Sequence, residues 1–127
     1  MLKFHRIPFP LLLLALGFLA CEDGTNEKLL LGQWQAVELV ESGEPVEVDL
    51  EGVYFEFLPN ERYHFQSTLR LSESGRYYTV GPLLYTTDTT AEEAIEKAVK
   101  ITQLTPDSLT FLMNDRGVEK QLHLRKK

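Results

Sequence analysis

The chain has 127 residues, with 13 Lys and Arg against 19 Asp and Glu and a formal net charge of −6. That length holds one domain with one core. An acidic balance argues against a nucleic-acid partner, which needs a basic patch, and the only dense basic cluster is Arg125-Lys126-Lys127 at the extreme end.

The chain opens with Lys3, His5 and Arg6, continues as an apolar run through Leu11 to Leu19, and reaches Ala20-Cys21, the order of a secretory signal. The 14 residues from Ile7 to Ala20 are fewer than the roughly 17 to 25 a helix needs to span a bilayer. Pro8 and Pro10 further weaken any helix starting before Leu11. Gly17-Phe18-Leu19-Ala20-Cys21 resembles a lipobox, with Phe18 where Leu or Val is commoner, as in the looser lipoboxes of Bacteroidota. A bacterial lipoprotein is therefore expected, with residues 1–20 as signal peptide and Cys21 as the lipid-bearing first residue. Cys21 is the only cysteine, so an exported chain has no internal disulfide partner for it, and acylation accounts for it. Acyl chains on Cys21 imply a membrane partner and a place at the outer membrane, facing either the periplasm or the cell surface. Removing Lys3 and Arg6 leaves 107 residues with 11 basic and 19 acidic side chains, net −8.

Residues 21–28 are polar and aperiodic, as in a flexible tether. Glu22-Asp23 fits either an acidic surface-export signal of the Bacteroidota type or a solvated linker.

From residue 29 the chain reads as short strands bounded by turn residues. Gln33 to Val40 is the first, ended by Glu41 to Pro45. Gly52 to Leu58 alternates Val53, Phe55 and Phe57 against Tyr54, Glu56 and Leu58, the period of a strand. Pro59-Asn60-Glu61 turns the chain into Arg62 to Leu71, and Ser72 to Gly75 supplies the next turn. Arg76 to Val80 and Leu83 to Thr87 follow, divided by Gly81-Pro82. Thr90-Ala91-Glu92-Glu93 has capping-box spacing, and Ala91 to Ala98 is rich in helix formers, which predicts one short helix there. Val99 to Leu104, Leu109 to Met113 and Val118 to Arg125 complete an antiparallel meander. About eight such strands close into an up-and-down barrel around side chains or one small ligand.

Leu30-Leu31-Gly32-Gln33-Trp34 is similar to the Gly-x-Trp motif of lipocalins. Phe55-Glu56-Phe57, Gly75 to Tyr78, Ile101 to Leu109 and Leu122 to Arg125 resemble successive blocks of the bacterial lipocalin-like family, in order, across residues 29–125. The resemblance implies an all-β, lipocalin-like barrel over residues 29–127. It also implies that Arg125 packs across the Trp34 indole and ties the last strand to the first. Arg125 as part of a solvated tail is the other reading. At about 100 residues, the domain is expected to have short strands and a shallow cavity.

The aromatic residues fit two roles. Trp34, Phe55 and Phe57 are expected in the core. Tyr54, Tyr63, Phe65, Tyr78 and Tyr85 are candidates to offer apolar faces and hydroxyls to an amphipathic ligand at the open end. His64 and His123 lack zinc-site spacing, and the acidic clusters Glu92-Glu93-Glu96 and Glu44 to Glu51 lack the calcium-loop pattern. No metal or cofactor is expected. No nucleophile elbow is present, which places an enzyme last. The expected function is to bind a small hydrophobic or amphipathic molecule as a monomeric envelope lipoprotein. The alternative is a filled barrel acting as a protein interaction module.

Overall fold

The computed structural model describes residues 26–67 and 71–127. Residues 1–25, which hold the expected signal peptide, Cys21 and most of the expected tether, lie outside the described residues. A short helix α1 (Glu27–Leu30) precedes nine strands: β1 (Gly32–Glu41), β2 (Glu44–Pro45), β3 (Tyr54–Leu58), β4 (Arg62–Gln66), β5 (Ser72–Val80), β6 (Leu83–Asp88), β7 (Glu96–Leu104), β8 (Ser108–Asp115) and β9 (Val118–Lys126). Consecutive strands from β3 to β9 pair antiparallel, β1 pairs β3, and β1 also pairs β9. The barrel thus closes on eight strands, with β2 a two-residue tab on β1. Closure leaves no long strand edge unpaired, the constraint that favours a barrel in a chain of sequential hairpins.

The alternation read in β3 and β4 holds. Phe57 pairs with Tyr63 and Phe55 with Phe65 on the inner face. Trp34, Phe57, Tyr63, Tyr77, Leu84, Leu109, Phe111 and Leu124 are buried at its centre. Two bulges adjust the inner face. The β1–β9 register steps from Ala36–Leu124 to Glu38–His123 and leaves Val37 as the extra residue. The β7–β8 register steps from Ile101–Phe111 to Gln103–Thr110 and leaves Thr102. Each bulge increases local strand twist and bend, which helps a narrow sheet curl shut.

Three expectations need correction. The predicted helix over Ala91 to Ala98 does not form. Thr90 donates its backbone N–H to the Asp88 carboxylate (2.9 Å), and its hydroxyl bonds the same carboxylate oxygen. Asp88 and Thr90 thus bend the chain, and Glu96, Lys97 and Ala98 pair with Thr87, Thr86 and Tyr85. Eight residues of good helix former are too few to hold a helix in isolation, and each of these pairings extends a strand already in the sheet. The short helix lies instead at Glu27–Leu30, so Glu27 and Lys28, expected in the tether, belong to the folded domain. Asn26 caps it by accepting from the Lys28 N–H at 3.1 Å. The predicted turn at Ser72 to Gly75 lies within β5. The chain reverses earlier, where the Ser67 N–H donates to the Leu71 carbonyl.

Gly75 explains the misreading, because it is required by packing and not by a turn. A Cβ there would lie 1.8 Å from the Thr87 carbonyl oxygen on β6. Only the absence of a side chain lets β5 and β6 approach so closely beside Tyr63, the β4 partner of Gly75. Gly75→Ala is expected to destabilise the domain by on the order of 3 kcal/mol in denaturant titration. A loss below about 1 kcal/mol would mean that β5 and β6 can separate freely at this point.

Candidate functional site

The two ends of the barrel differ. One end carries the turns 59–61, 81–82 and 105–107 together with α1. The other carries the longer connections 42–53, 67–71 and 89–95 and the tight 116–117 turn.

The first end is sealed. Leu30 of α1 is fully buried beneath the barrel. The Trp34 indole N–H donates to the Leu30 carbonyl at 2.8 Å. The Lys126 ammonium donates to the Leu31 carbonyl at 2.6 Å and the Leu29 carbonyl at 3.4 Å, and lies 4.5 Å from the centre of the Trp34 ring. Helix carbonyls without intrahelical partners are satisfied in this way by one indole and one ammonium. Gly32 makes room for the ammonium. Its φ is +122°, and a Cβ there would lie 2.6 Å from Lys126 Cε.

The expected Arg125 contact is therefore replaced by Lys126. Trp34 is in register with Lys126, whereas Arg125 faces Gln35 and is exposed on the outer wall. Adjacent residues of a strand point to opposite faces, so a one-position difference decides which cation reaches the ring.

The other end is less tightly packed. Leu39, Leu50, Phe55, Phe65, Val99 and Met113 are only partly buried against the core. Phe55 packs on Phe65 (4.5 Å between ring centres), on Phe57 (5.8 Å, stacked) and edge-on against Phe111 (5.3 Å). Gln35 braces this rim from the wall, donating to the carbonyls of Leu50 (2.8 Å) and Val53 (3.0 Å) in the β2–β3 connection.

A polar group enters the same inner face. Glu73 is in register with Phe65, and Lys97 with Thr86, which itself pairs with Tyr77. The Tyr63 hydroxyl donates to Glu73 Oε1 at 3.0 Å, and Lys97 Nζ donates to Glu73 Oε2 at 2.8 Å. Burial and then the Glu73 carboxylate push the Tyr63 phenol well above its ordinary 10.0. Glu73 and Lys97 were not singled out from sequence, since one fell in an expected turn and the other in an expected helix. The alternations Glu73-x-Gly75-x-Tyr77 and Lys97-x-Val99-x-Ile101 are the signals that place them inside.

Of the five candidate ligand residues, the barrel brings two together. Tyr63 and Phe65 face inward. Tyr54, Tyr78 and Tyr85 lie on the outer wall, where Tyr78 stacks on Tyr85 at 4.9 Å and Tyr54 packs against His64. His64 shares a hydrogen bond with Ser74 and His123 with Thr110, both at 2.9 Å.

No family model matches the chain, and no curated protein matches it. Among solved structures it is similar to a lipocalin-like protein from Bacteroides uniformis at 18% identity, with 78% of this chain and 99% of that chain covered and a TM-score of 0.58. The fold is thus that of a lipocalin-like barrel, with one end sealed and the other ringed by partly buried apolar side chains.

Two measurements test this geometry. A double-mutant cycle on Trp34→Phe and Lys126→Gln is expected to give a coupling of about 0.5 to 2 kcal/mol, while Arg125→Gln adds independently to Trp34→Phe. Coupling through Arg125 and not Lys126 would contradict the observed register. The raised Tyr63 phenol sets a pH dependence. Below about pH 10 the phenol is neutral in both states, and above it the unfolded chain loses its proton first. Stability is therefore expected to be flat through neutral pH and to fall as pH rises past the unfolded value, with Tyr63→Phe reducing that slope. An unchanged slope would show that the phenol ionises freely in the folded barrel.

Proposed function

We propose that the protein is a lipid-anchored envelope protein that binds a small amphipathic molecule in the barrel mouth, and that it is not an enzyme. The observation that carries this reading is the contrast between the sealed floor and the partly buried lining of Leu39, Phe55, Phe65, Val99 and Met113. Such a lining offers apolar surface to a ligand tail, with a few convergent polar groups beside it. Tyr63, Glu73 and Lys97 supply those groups for a polar head. Glu44, Glu47, Asp49 and Glu51 in one rim connection, and Asp88, Glu92, Glu93 and Glu96 in another, make the rim acidic. The head group is therefore neutral or cationic, since a negative rim repels anionic amphiphiles. In this reading residues 1–20 are a signal peptide, acylated Cys21 anchors the barrel at the outer membrane facing the periplasm or the cell surface, and the protein is a monomer.

A second reading, an interaction module, is favoured by one observation. Val48, Leu71 and Ile95, one on each of the three longer rim connections, and Val118, the first residue of β9 at the same rim, are exposed. Apolar residues grouped at a rim are the usual mark of a protein contact.

Native mass spectrometry of the chain purified gently from its own host is expected to show a small-molecule adduct that Phe65→Arg abolishes. An adduct-free chain that instead carries a second polypeptide would support the module and sink the ligand reading. The anchor is tested separately: Cys21→Ser should abolish fatty-acid labelling and release the protein from the membrane, and retained label would overturn it.

A further inference from the structure

On the outer wall, Arg62 of β4 and Arg76 of β5 are direct cross-strand partners, and both are exposed. Like charges directly opposed on neighbouring strands destabilise the pair. Among the described residues, Lys97 is matched by Glu73, Lys120 by Glu41 and Asp115, and Arg116 by Asp115. Neither Arg62 nor Arg76 has a hydrogen-bond or ion-pair partner among the described residues.

The two guanidinium groups border an open groove of about 480 Å³ whose other walls are Tyr78, Thr87 and Thr89. Thr87 is the β6 partner of Arg76, so Arg62, Arg76 and Thr87 form one rung across three strands. The Thr87 hydroxyl has no hydrogen-bond partner among the described residues. Thr89 Oγ1 donates to the Ser74 carbonyl, which leaves its lone pairs free. The Tyr78 hydroxyl donates to Glu96 Oε2 at 3.1 Å, and its ring is held flat against Tyr85. The groove thus offers two unpaired guanidinium forks, a free hydroxyl and a rigid aromatic face.

We propose that this groove binds a phosphate monoester, its phosphate bridging Arg62 and Arg76 and its carbon skeleton lying along Tyr78. A monoester phosphate carries close to two charges and three terminal oxygens, enough to occupy both forks and remove their repulsion. A carboxylate, with two oxygens and one charge, fills only one fork. Glu96, fixed at the far side by the Tyr78 hydroxyl, repels a second anionic group there and selects an uncharged, hydroxyl-bearing skeleton such as a sugar. The net charge of the chain excludes long polyanions, whose further phosphates would meet carboxylates.

A free sugar phosphate and a phosphomonoester lipid headgroup share this chemistry, and titration of the full chain in detergent distinguishes them. With glucose 1-phosphate as probe, saturable binding is expected, tighter than with inorganic phosphate. It should weaken at least about tenfold in Arg62→Gln or Arg76→Gln and stay unchanged in Arg116→Gln, the exposed control at the rim. Phosphatidic acid carried in mixed detergent micelles that binds with the same arginine dependence, while glucose 1-phosphate does not, would assign the site to a lipid headgroup. Both single variants relieve a like-charge contact, so without ligand they should melt at or above the wild-type temperature. Glucose 1-phosphate should raise the melting temperature of the wild type and not theirs. No saturable binding by any probe, or binding that survives the double variant R62Q/R76Q, overturns the proposal. None of these variants alters the inward lining of Phe65, Met113 and Tyr63, so their outcome is separable from that of the function proposed above.

Discussion

The pairing of β1 with β9 is what turns a curled meander into a barrel, and the Lys126 ammonium between the Trp34 ring and the α1 carbonyls holds that pairing at its end. Several consequences meet at this point. The cation gains from the indole face, an interaction that strengthens as water is excluded. The carbonyls that a four-residue helix leaves unpaired find donors. Leu30 is thereby held under the core, and the floor of the barrel is sealed. Without this clamp, α1 is too short to persist by its own hydrogen bonds.

With one end sealed, the remaining asymmetry of the barrel follows from chain length. Turns at the sealed end are short, so strands meet closely and Phe57, Tyr77, Leu84 and Leu109 pack fully. At the mouth most connections are longer, and Phe65 and Met113 are part-covered. An ion pair such as Lys97–Glu73, half open to solvent, contributes little to stability. On the inner face, the Tyr63 hydroxyl and the Lys97 ammonium both turn to this one carboxylate.

The outer wall follows a different logic. Strand alternation that sends Tyr63, Phe65 and Tyr77 inward necessarily sends Arg62, Arg76, Tyr78 and Tyr85 outward. Tyr78 and Tyr85 meet as a cross-strand pair and cover one another. Arg62 and Arg76 meet as a cross-strand pair and repel, so the sheet tolerates at that rung a contact that costs stability.

Much of this fold was legible along the chain, because strand period is local. Phe55, Phe57 and Tyr63 announce their inner face by alternation with neighbours two residues away, and Gly81-Pro82 announces its turn by backbone chemistry. What escaped was non-local. The stretch from Ala91 to Ala98 has helical composition, but Lys97 and its neighbours had β6 to pair with, and propensity yields to a sheet hydrogen bond already in reach. Gly75 signals a turn in sequence and a close approach of β6 in the structure. Whether Lys126 or Arg125 covers Trp34, some ninety residues away along the chain, depends on the register of β1 and β9, shifted by the Val37 bulge. The sequence by itself determined the strand order, the barrel class and the aromatic core. Only the tertiary structure decided which cation seals the floor, which tyrosines face inward and which arginines are left facing each other, because each depends on register, and register is set by pairing partners that the local pattern does not contain.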